Sequence, residues 1–302
     1  QRFASIIVSE INSIMSTYII EASSVYLSLD DSFLPEIKIS NVDLFYSNGE
    51  PILSFNSLVT KFSLVDLVSG KFRVSSVTLD SANLSIVRKK NGSLNLDFGP
   101  ENTSGVNELN AIGILKELDE FFISDEMERF QDLNLFGLTA QFEDQRTGRI
   151  YTVDGARFRL NREDQELFMG FDLALLSGGE GVATIEANFK STIGQMEGDF
   201  GFILNNFSAQ DIASLSPEFG WLSILEAPIS GALRGSLDKD GQLKPLSTTL
   251  QIGAGLLKPS NDIKPIAFNS VRTYFSYAPG SGEINFDEIF VDSKDLKATA
   301  DG

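Results

Sequence analysis

Along most of this chain hydrophobic and polar residues alternate with a period of two. That is the spacing of a strand whose successive side chains point to opposite faces of a sheet. From about Tyr18 onward, Val25, Leu27 and Leu29 alternate with polar residues, and Pro35 opens a second run, Glu36-Ile37-Lys38-Ile39. After Asn41 the parity slips by one residue before Val42 and Leu44 continue it, which predicts a bulge or a bend. Ser47-Asn48-Gly49-Glu50 predicts a hairpin turn, because Asn-Gly tolerates the positive φ a tight turn needs. Pro51 to Leu64 is then the return strand, Leu67 to Lys71 a short break, and Phe72 to Leu79 and Ala82 to Arg88 two further strands. Asn91-Gly92 is a second hairpin turn, after which Leu94, Leu96 and Phe98 alternate.

Two segments follow a helical period instead. Phe3, Ile6, Ile7, Ile11, Ile14 and Met15 form one stripe over residues 3–20, and Leu109, Ile112, Leu115, Leu118 and Phe122 form another over Glu108 to Phe122. The first helix would pack on its own sheet, cap the end of a groove or continue from an anchor. Residues 99–107, rich in Gly, Pro, Asn and Ser, predict a loop between the two halves of this pattern.

Strands resume at Leu133 and run through Phe158 and Leu160, then Phe171, Leu173 and Leu175, with Gly178-Gly179 turning the chain back into Ile185, Ala187 and Phe189. Phe200, Phe202 and Leu204 mark a further strand. Residues 207–227 interrupt the pattern with short helical turns at Asp211 to Leu215 and Trp221 to Leu225. Pro228 opens a last β-block, whose turns are Asp240-Gly241 and Pro279-Gly280-Ser281-Gly282. A strand, a polar turn and a longer strand recur at Ser40–Tyr46, Phe136–Phe142 and Asn269–Phe275, as modular growth of one extended sheet would produce.

A sheet with one apolar face must cover that face with a second sheet, with helices, by closing into a barrel, or with a bound apolar ligand. Two helices are too few for this many strands. Covering by lipid would be a large effect: at about 0.8 kcal/mol per methylene, roughly 30 methylenes of a two-chain lipid represent about 20 kcal/mol or more. Phenylalanine, with 24 residues against one tryptophan and six tyrosines, supplies apolar bulk without a polar group that needs a partner. Phenylalanine suits an acyl-chain lining and an ordinary β-sandwich core equally.

Composition excludes several classes of chemistry. The chain of 302 residues carries 24 Lys+Arg against 42 Asp+Glu, a net charge of −18, which opposes nucleic acid and anionic membrane surfaces. It has no cysteine and no histidine, so disulfides, zinc-thiolate sites, a Cys nucleophile and a Ser-His-Asp triad are all ruled out. Glu163-Asp164 and Asp287-Glu288 read as solvated surface, not as a glycosidase pair. Asp238-Lys239-Asp240-Gly241 resembles a fragment of a calcium loop but lacks its remaining acidic positions, so it predicts a hairpin turn. No catalytic residue, metal ligand or cofactor is assigned. No apolar run reaches the ~18 residues of a membrane span.

Two stretches carry a family resemblance. Leu34 to Leu44, Phe62 to Lys71, Val77 to Leu84 and Asn91 to Leu96 look like the N-terminal pattern of the AsmA-like proteins. Glu226 to Gly231, Leu237 to Leu243 and Gly253 to Leu256 resemble the central domain of YhdP-type members of that group. The resemblance spans roughly residues 1–100 and 200–302, and residues 101–199 match in style only. It implies a periplasmic protein of Gram-negative bacteria, anchored to the inner membrane. It also implies a long curved antiparallel sheet forming a taco-shaped β-groove that moves phospholipid toward the outer membrane. The chain, which starts at Gln1, would then be the part that follows a membrane anchor, and it reads as a piece of a longer protein.

The expected fold is therefore mainly β, a taco-shaped β-groove with an N-terminal helix and a few short helices. Its expected organisation is an N-terminal AsmA-like helix plus sheet (1–105), a helix followed by a β-repeat (106–206) and the start of a YhdP-type central β-domain (207–302). Strand parity nominates Val77, Leu79, Leu84, Ile86, Leu94, Leu96, Phe98, Phe158, Leu160, Phe171, Leu173 and Leu175 as groove-lining residues that would touch acyl chains. The expected function is non-enzymatic phospholipid transport between inner and outer membrane, with phospholipid acyl chains, the inner membrane and outer-membrane components as partners and no nucleic acid. The rival readings are an envelope scaffold or assembly factor for outer-membrane proteins, and an acidic β-solenoid enzyme, for which the short regular repeat is missing.

Overall fold

The structure, a computed structural model, describes residues 12, 18–31, 33–47, 49, 51–70, 73–90, 94–95, 122–123, 127–176, 181–215, 217–260 and 262–302. The chain is mainly β. In order its elements are β1 (Tyr18–Leu29), β2 (Pro35–Tyr46), β3 (Pro51–Phe62), α1 (Leu64–Val68), β4 (Val74–Arg88), β5 (Leu94–Asn95), β6 (Asp132–Asp144), β7 (Arg149–Glu163), β8 (Glu166–Leu176), β9 (Ala183–Thr192) and β10 (Gly198–Ser208). They continue with α2 (Ala209–Leu215), a 3₁₀ helix (Pro217–Ile224), β11 (Leu225–Glu226), β12 (Pro228–Leu237), β13 (Leu246–Ile252), β14 (Gly255–Leu257), β15 (Ile266–Phe268), β16 (Ser270–Ala278), β17 (Glu283–Asp292) and β18 (Lys297–Asp301).

Fifteen strands belong to one sheet of order β1-β2-β3-β4-β6-β7-β8-β9-β10-β12-β13-β16-β17-β18, with β5 on β4; β1 and β18 each have one neighbour, so the sheet does not close into a barrel. β11, β14 and β15 form a separate small sheet. The chain divides into two compact units, Gln1–Leu173 with Thr192–Gln195, and Ala174–Ser191 with Met196–Gly302.

In the first unit every pairing of described register is antiparallel except β4 with β6, which run parallel. This departs from the antiparallel expectation. Parallel neighbours need a long crossover, and the chain between Asn95 and Asp132 supplies it. The predicted helix over residues 108–122 falls in that crossover; Phe122 and Ile123 are helical and the rest lies outside the described residues, as does the Asn91-Gly92 turn. Of the helix predicted over residues 3–20, Asn12 is helical, Tyr18, Ile19 and Ile20 instead open β1, and the rest lies outside the described residues. The expected break over Leu67 to Lys71 coincides with the end of the short helix α1 and a turn at Ser69-Gly70, whereas the two strands expected around Asp80 are one strand, β4.

Those two strands merge because of a crease that crosses the first unit. Along β1 the inward apolar positions are Ile20 and Ala22, then Val25 and Leu27: steps of two, broken once by a step of three at Ser23-Ser24. The same step of three occurs at Ser40-Asn41 in β2, Asn56-Ser57 in β3, Asp80-Ser81 in β4, Phe136-Gly137 in β6 and Asp154-Gly155 in β7. These pairs line up across the sheet, with Ser24 opposite Ser40, Ser40 opposite Ser57, Ser57 opposite Asp80 and Asp80 opposite Phe136. Asn41 (φ 48), Ser81 (φ 57), Gly137 (φ 66) and Gly155 (φ 64) adopt the left-handed conformation there. An extra residue in a strand would throw everything beyond it onto the other face. Because each strand makes the slip at the same level, the apolar side chains beyond the crease return to the same face. Ile39, Val42, Phe55 and Ala82 accordingly form one buried cluster with Ile20, Ala22, Val25, Ile37, Leu58, Leu79, Leu135 and Leu138 packed on it.

In the second unit the described strands alternate more simply. Ala183, Ile185, Ala187, Phe189 and Ser191 of β9 turn to one face, and Glu186, Asn188 and Lys190 are exposed on the other. β10 repeats the step of three at Asn205-Asn206, where Asn206 has φ 58 and the register with β12 shifts between Leu204 and Phe207. The buried cluster of this unit joins Ile229 and Ile252 of the large sheet to Ala209, Leu222, Leu225 and Ala227, so α2, the 3₁₀ helix and the small sheet cover that end of the face.

Candidate functional site

The candidate site in the first unit is its apolar face. Val25, Ile39, Leu58, Leu79, Leu135 and Phe158 stand opposite one another in a row across six strands. The next row is Leu27, Ile37, Thr60, Val77, Leu133 and Leu160. Five strand spacings of about 4.8 Å make such a row about 24 Å wide. Directly opposed apolar pairs each contribute about 0.2–1 kcal/mol to the sheet. Among the described residues no second sheet lies in this unit. Leu58, Leu79, Leu135 and Phe158 are only half-buried, and Leu27 and Leu29 at the β1 side are 66% and 61% exposed.

At the start of β4 and β6 this face is closed. Phe122 and Phe130 are buried with Leu160 and Leu167, their rings 6.1 Å apart, and Val77, Leu133 and Phe158 pack against them. Arg162 fixes that closure by donating through Nη1 to the carbonyls of Phe122 (3.3 Å) and Met127 (3.2 Å). Arg129 Nε lies 3.4 Å from the buried carboxylate of Asp66, and Arg73 pairs with Glu128, so α1 and the end of the crossover are tied together by charge. The Arg73–Glu128 pair, with Glu128 57% exposed, contributes little by itself.

Of the residues nominated from sequence, Val77 and Leu160 share one row and Leu79 and Phe158 the other. Phe171 and Leu173 flank Asp172, whose carboxylate pairs with Arg157 at 2.7 Å and Arg159 at 3.7 Å on the opposite face. Alternation therefore directs Phe171 and Leu173 to the side of Phe158 and Leu160. Leu175 belongs to the second unit and is half-buried. Leu84 and Ile86 hold register opposite Ala140 and Phe142, and Leu94 opposite Arg88, but their side chains lie outside the described residues, as do Leu96 and Phe98 entirely. Val25, Ile39, Leu58 and Leu135 lie on the same face outside the nominated set, and the aligned steps of three are the sequence signal that marks them.

In the second unit Ala187, Phe202, Leu233, Thr248, Phe275 and Phe286 form a comparable row. The rings of Phe275 and Phe286 meet at a tilt of 46° with centroids 5.6 Å apart, and Phe286 is 45% exposed. Gly235 of β12 is roofed by its neighbours: a Cβ there would come within 2.5 Å of the Phe200 ring and 2.4 Å of Leu246, so glycine lets both side chains lie flat over the strand.

Polar groups on these faces are few. The hydroxyl of Tyr151, buried beside Phe142 in the first unit, and that of Thr273 in the second have no hydrogen-bond partner. Asp238 Oδ1 accepts from the amides of Asp240 (2.9 Å) and Gln242 (2.8 Å), so this carboxylate closes the predicted turn. Among the described residues no cluster of acidic side chains is arranged to hold a metal, and no helix is long and apolar enough to cross a membrane. Compared with known proteins, the chain matches no family model, no curated protein and no solved structure.

Proposed function

We propose that this chain carries lipid, its apolar sheet faces shielding the acyl chains of phospholipids in a non-enzymatic transport path. The observation that supports the reading best is the row Val25, Ile39, Leu58, Leu79, Leu135 and Phe158, apolar at every position across six strands and, apart from buried Ile39, only half-buried. A row of this kind left to water forfeits roughly 25 cal/mol for each square ångström of apolar surface, and an acyl chain lying on it recovers that from both partners. The aligned crease supports the same reading. It keeps the face apolar beyond the point where a lone bulge would have turned polar side chains inward. The unpartnered Tyr151 hydroxyl is suited to donate to an ester carbonyl, the polar group nearest the acyl chains.

The setting of this activity rests on the resemblance to AsmA-like proteins alone. On that basis the chain works in the periplasm, anchored to the inner membrane through a segment outside the present sequence, and passes phospholipid toward the outer membrane. Headgroups stay at the wetter rim, tails slide along the face, and direction comes from elsewhere.

Protein purified without detergent, analysed by native mass spectrometry and by extraction into organic solvent, tests the proposal. It predicts phospholipid at a fixed ratio to protein and transfer of labelled phospholipid between vesicles. Protein free of lipid and unable to transfer it rules the proposal out. The second reading, a scaffold for outer-membrane proteins, draws on the single-neighbour edges of β1 and β18, which can pair with a client strand. A bound outer-membrane protein in place of lipid would favour it.

A further inference from the structure

The two ends of the first unit are built from different kinds of turn. At one end the described residues that follow β2, β4 and β6 are Ser47 and Gly49, Lys89 and Lys90, and Gln145-Arg146-Thr147-Gly148, all polar or glycine. At the other end the connections put large apolar side chains into water. Phe33 between β1 and β2 is 79% exposed, Val65 and Val68 of α1 are 71% and 85% exposed, and Ile123 before β6 is 63% exposed. Register places these segments at the same edge, since Leu29 pairs with Pro35, Glu36 with Lys61, Lys61 with Ser76, and Ser76 with Asp132.

Phe33 also holds an unusual backbone conformation. Its φ of 61 is a left-handed conformation that glycine or asparagine takes easily and an aromatic residue does not. The turn is nevertheless held firmly. Asp30 Oδ1 accepts from the Leu34 amide (2.9 Å), its carbonyl accepts from the Phe33 amide (2.9 Å), and Lys61 pairs with its carboxylate at 2.7 Å. A strained backbone braced on three sides presents a phenyl ring to solvent.

We infer that this end of the first unit docks on a lipid bilayer, with Phe33, Val65, Val68 and Ile123 entering the interfacial region. Scattered apolar tips on separate connections suit a fluid bilayer; a folded protein partner needs a contiguous, complementary patch. The charges of this edge select the kind of bilayer. Lys61 is paired with Asp30, Arg73 with Glu128 and Arg129 with Asp66, so these three cations are already matched by carboxylates. Attachment is therefore driven by apolar insertion into zwitterionic lipid, not by attraction to anionic headgroups. The inference extends the lipid-carrying reading, because Leu27 and Leu29, the exposed part of the apolar face, reach the same edge.

The test is flotation of the full chain with phosphatidylcholine vesicles, in low and high salt, beside a variant combining Phe33→Asn, Val65→Ser, Val68→Ser and Ile123→Ser. All four sites are exposed, and Phe33→Asn relieves a strained backbone, so the variant keeps its thermal transition. Wild-type protein should float equally at both salt concentrations. The variant should lose at least about a hundredfold of its partition, since full removal of one apolar side chain from water corresponds to about tenfold. Failure of wild-type protein to float, equal flotation of the variant, or flotation only with anionic vesicles at low salt overturns the inference. So does a wild-type dimer that the four substitutions dissociate, which would assign the patch to a second copy. Lipid recovered from the detergent-free variant separates the two readings. Lipid retained by the variant without flotation leaves the carrier intact, and flotation of wild-type protein that carries no bound lipid removes the carrier and keeps the docking edge.

Discussion

Gly137 of β6 lies directly over Ser81 of β4: a Cβ on Gly137 would sit 3.7 Å from the Ser81 backbone, and both residues hold positive φ, 66 and 57. Two adjacent strands thus make their left-handed kink at the same level, and the line continues to Asn41 and Gly155. The apolar face of the first unit depends on this alignment.

The kink itself is testable. An alanine at position 137 has room for its methyl but must adopt a conformation costing an L-residue about 1–2 kcal/mol, so Gly137→Ala should lower stability by about 1 kcal/mol in denaturant unfolding. Ser81→Gly relieves the same strain and adds freedom to the unfolded chain, leaving a net gain of about 0.5 kcal/mol. Opposite signs at touching positions are the expected signature.

Parity at the open edge gives a second prediction. Leu27 and Tyr26 are comparably exposed, 66% and 58%, but alternate between faces of β1. Leu27→Glu places a charge on the apolar face and should strip bound phospholipid from purified protein. Tyr26→Glu should leave the lipid content unchanged, and both variants should keep the wild-type circular dichroism.

The Lys61–Asp30 pair sets a pH dependence. Asp30 accepts a hydrogen bond from Lys61 and raises its pKa above 10.5, with partial burial opposing this and the charges of Asp30, Glu36 and Asp31 adding to it. The folded state therefore holds the proton more tightly than the unfolded chain. The stabilisation is complete below the unfolded value, about 10.4, and is lost as pH rises through the raised folded value. Unfolding of wild-type protein and Lys61→Met, compared from pH 8 to 12, should show a difference that closes only at the alkaline end.

Tyr151 offers a fourth prediction. Its buried hydroxyl has no partner, a state that costs about 1–3 kcal/mol. In protein stripped of lipid, Tyr151→Phe should therefore raise stability by about 1 kcal/mol, with the gain shrinking once phospholipid is restored. An equal gain in both states would mean that lipid never reaches this hydroxyl.

Much of the strand pattern could be read from the alternation itself. The onset of β1 at Tyr18, the slip after Asn41 and the turns at Gly49, Gly148 and Gly241, all with positive φ, follow from residue chemistry. The long strand β4 was divided in the sequence reading because Asp80-Ser81 breaks its alternation. A single strand cannot reveal that its neighbours break at the same level. The parallel pairing of β4 with β6 was hidden for a related reason: local patterning determines that a strand forms, but its partner depends on how the crossover closes. The exposed Phe33, Val65 and Val68 escaped notice because apolar residues near strand ends look like core until burial is known.

Photo-crosslinking in cells is the most direct measurement of the central claim. A benzophenone side chain replaces Leu173, on the apolar face of β8, and in a separate protein Tyr26, on the other face of β1. A lipid-carrying face gives crosslinks to phospholipid from position 173 and none from 26. Equal labelling at both positions, or labelling at 173 by protein alone, would contradict it.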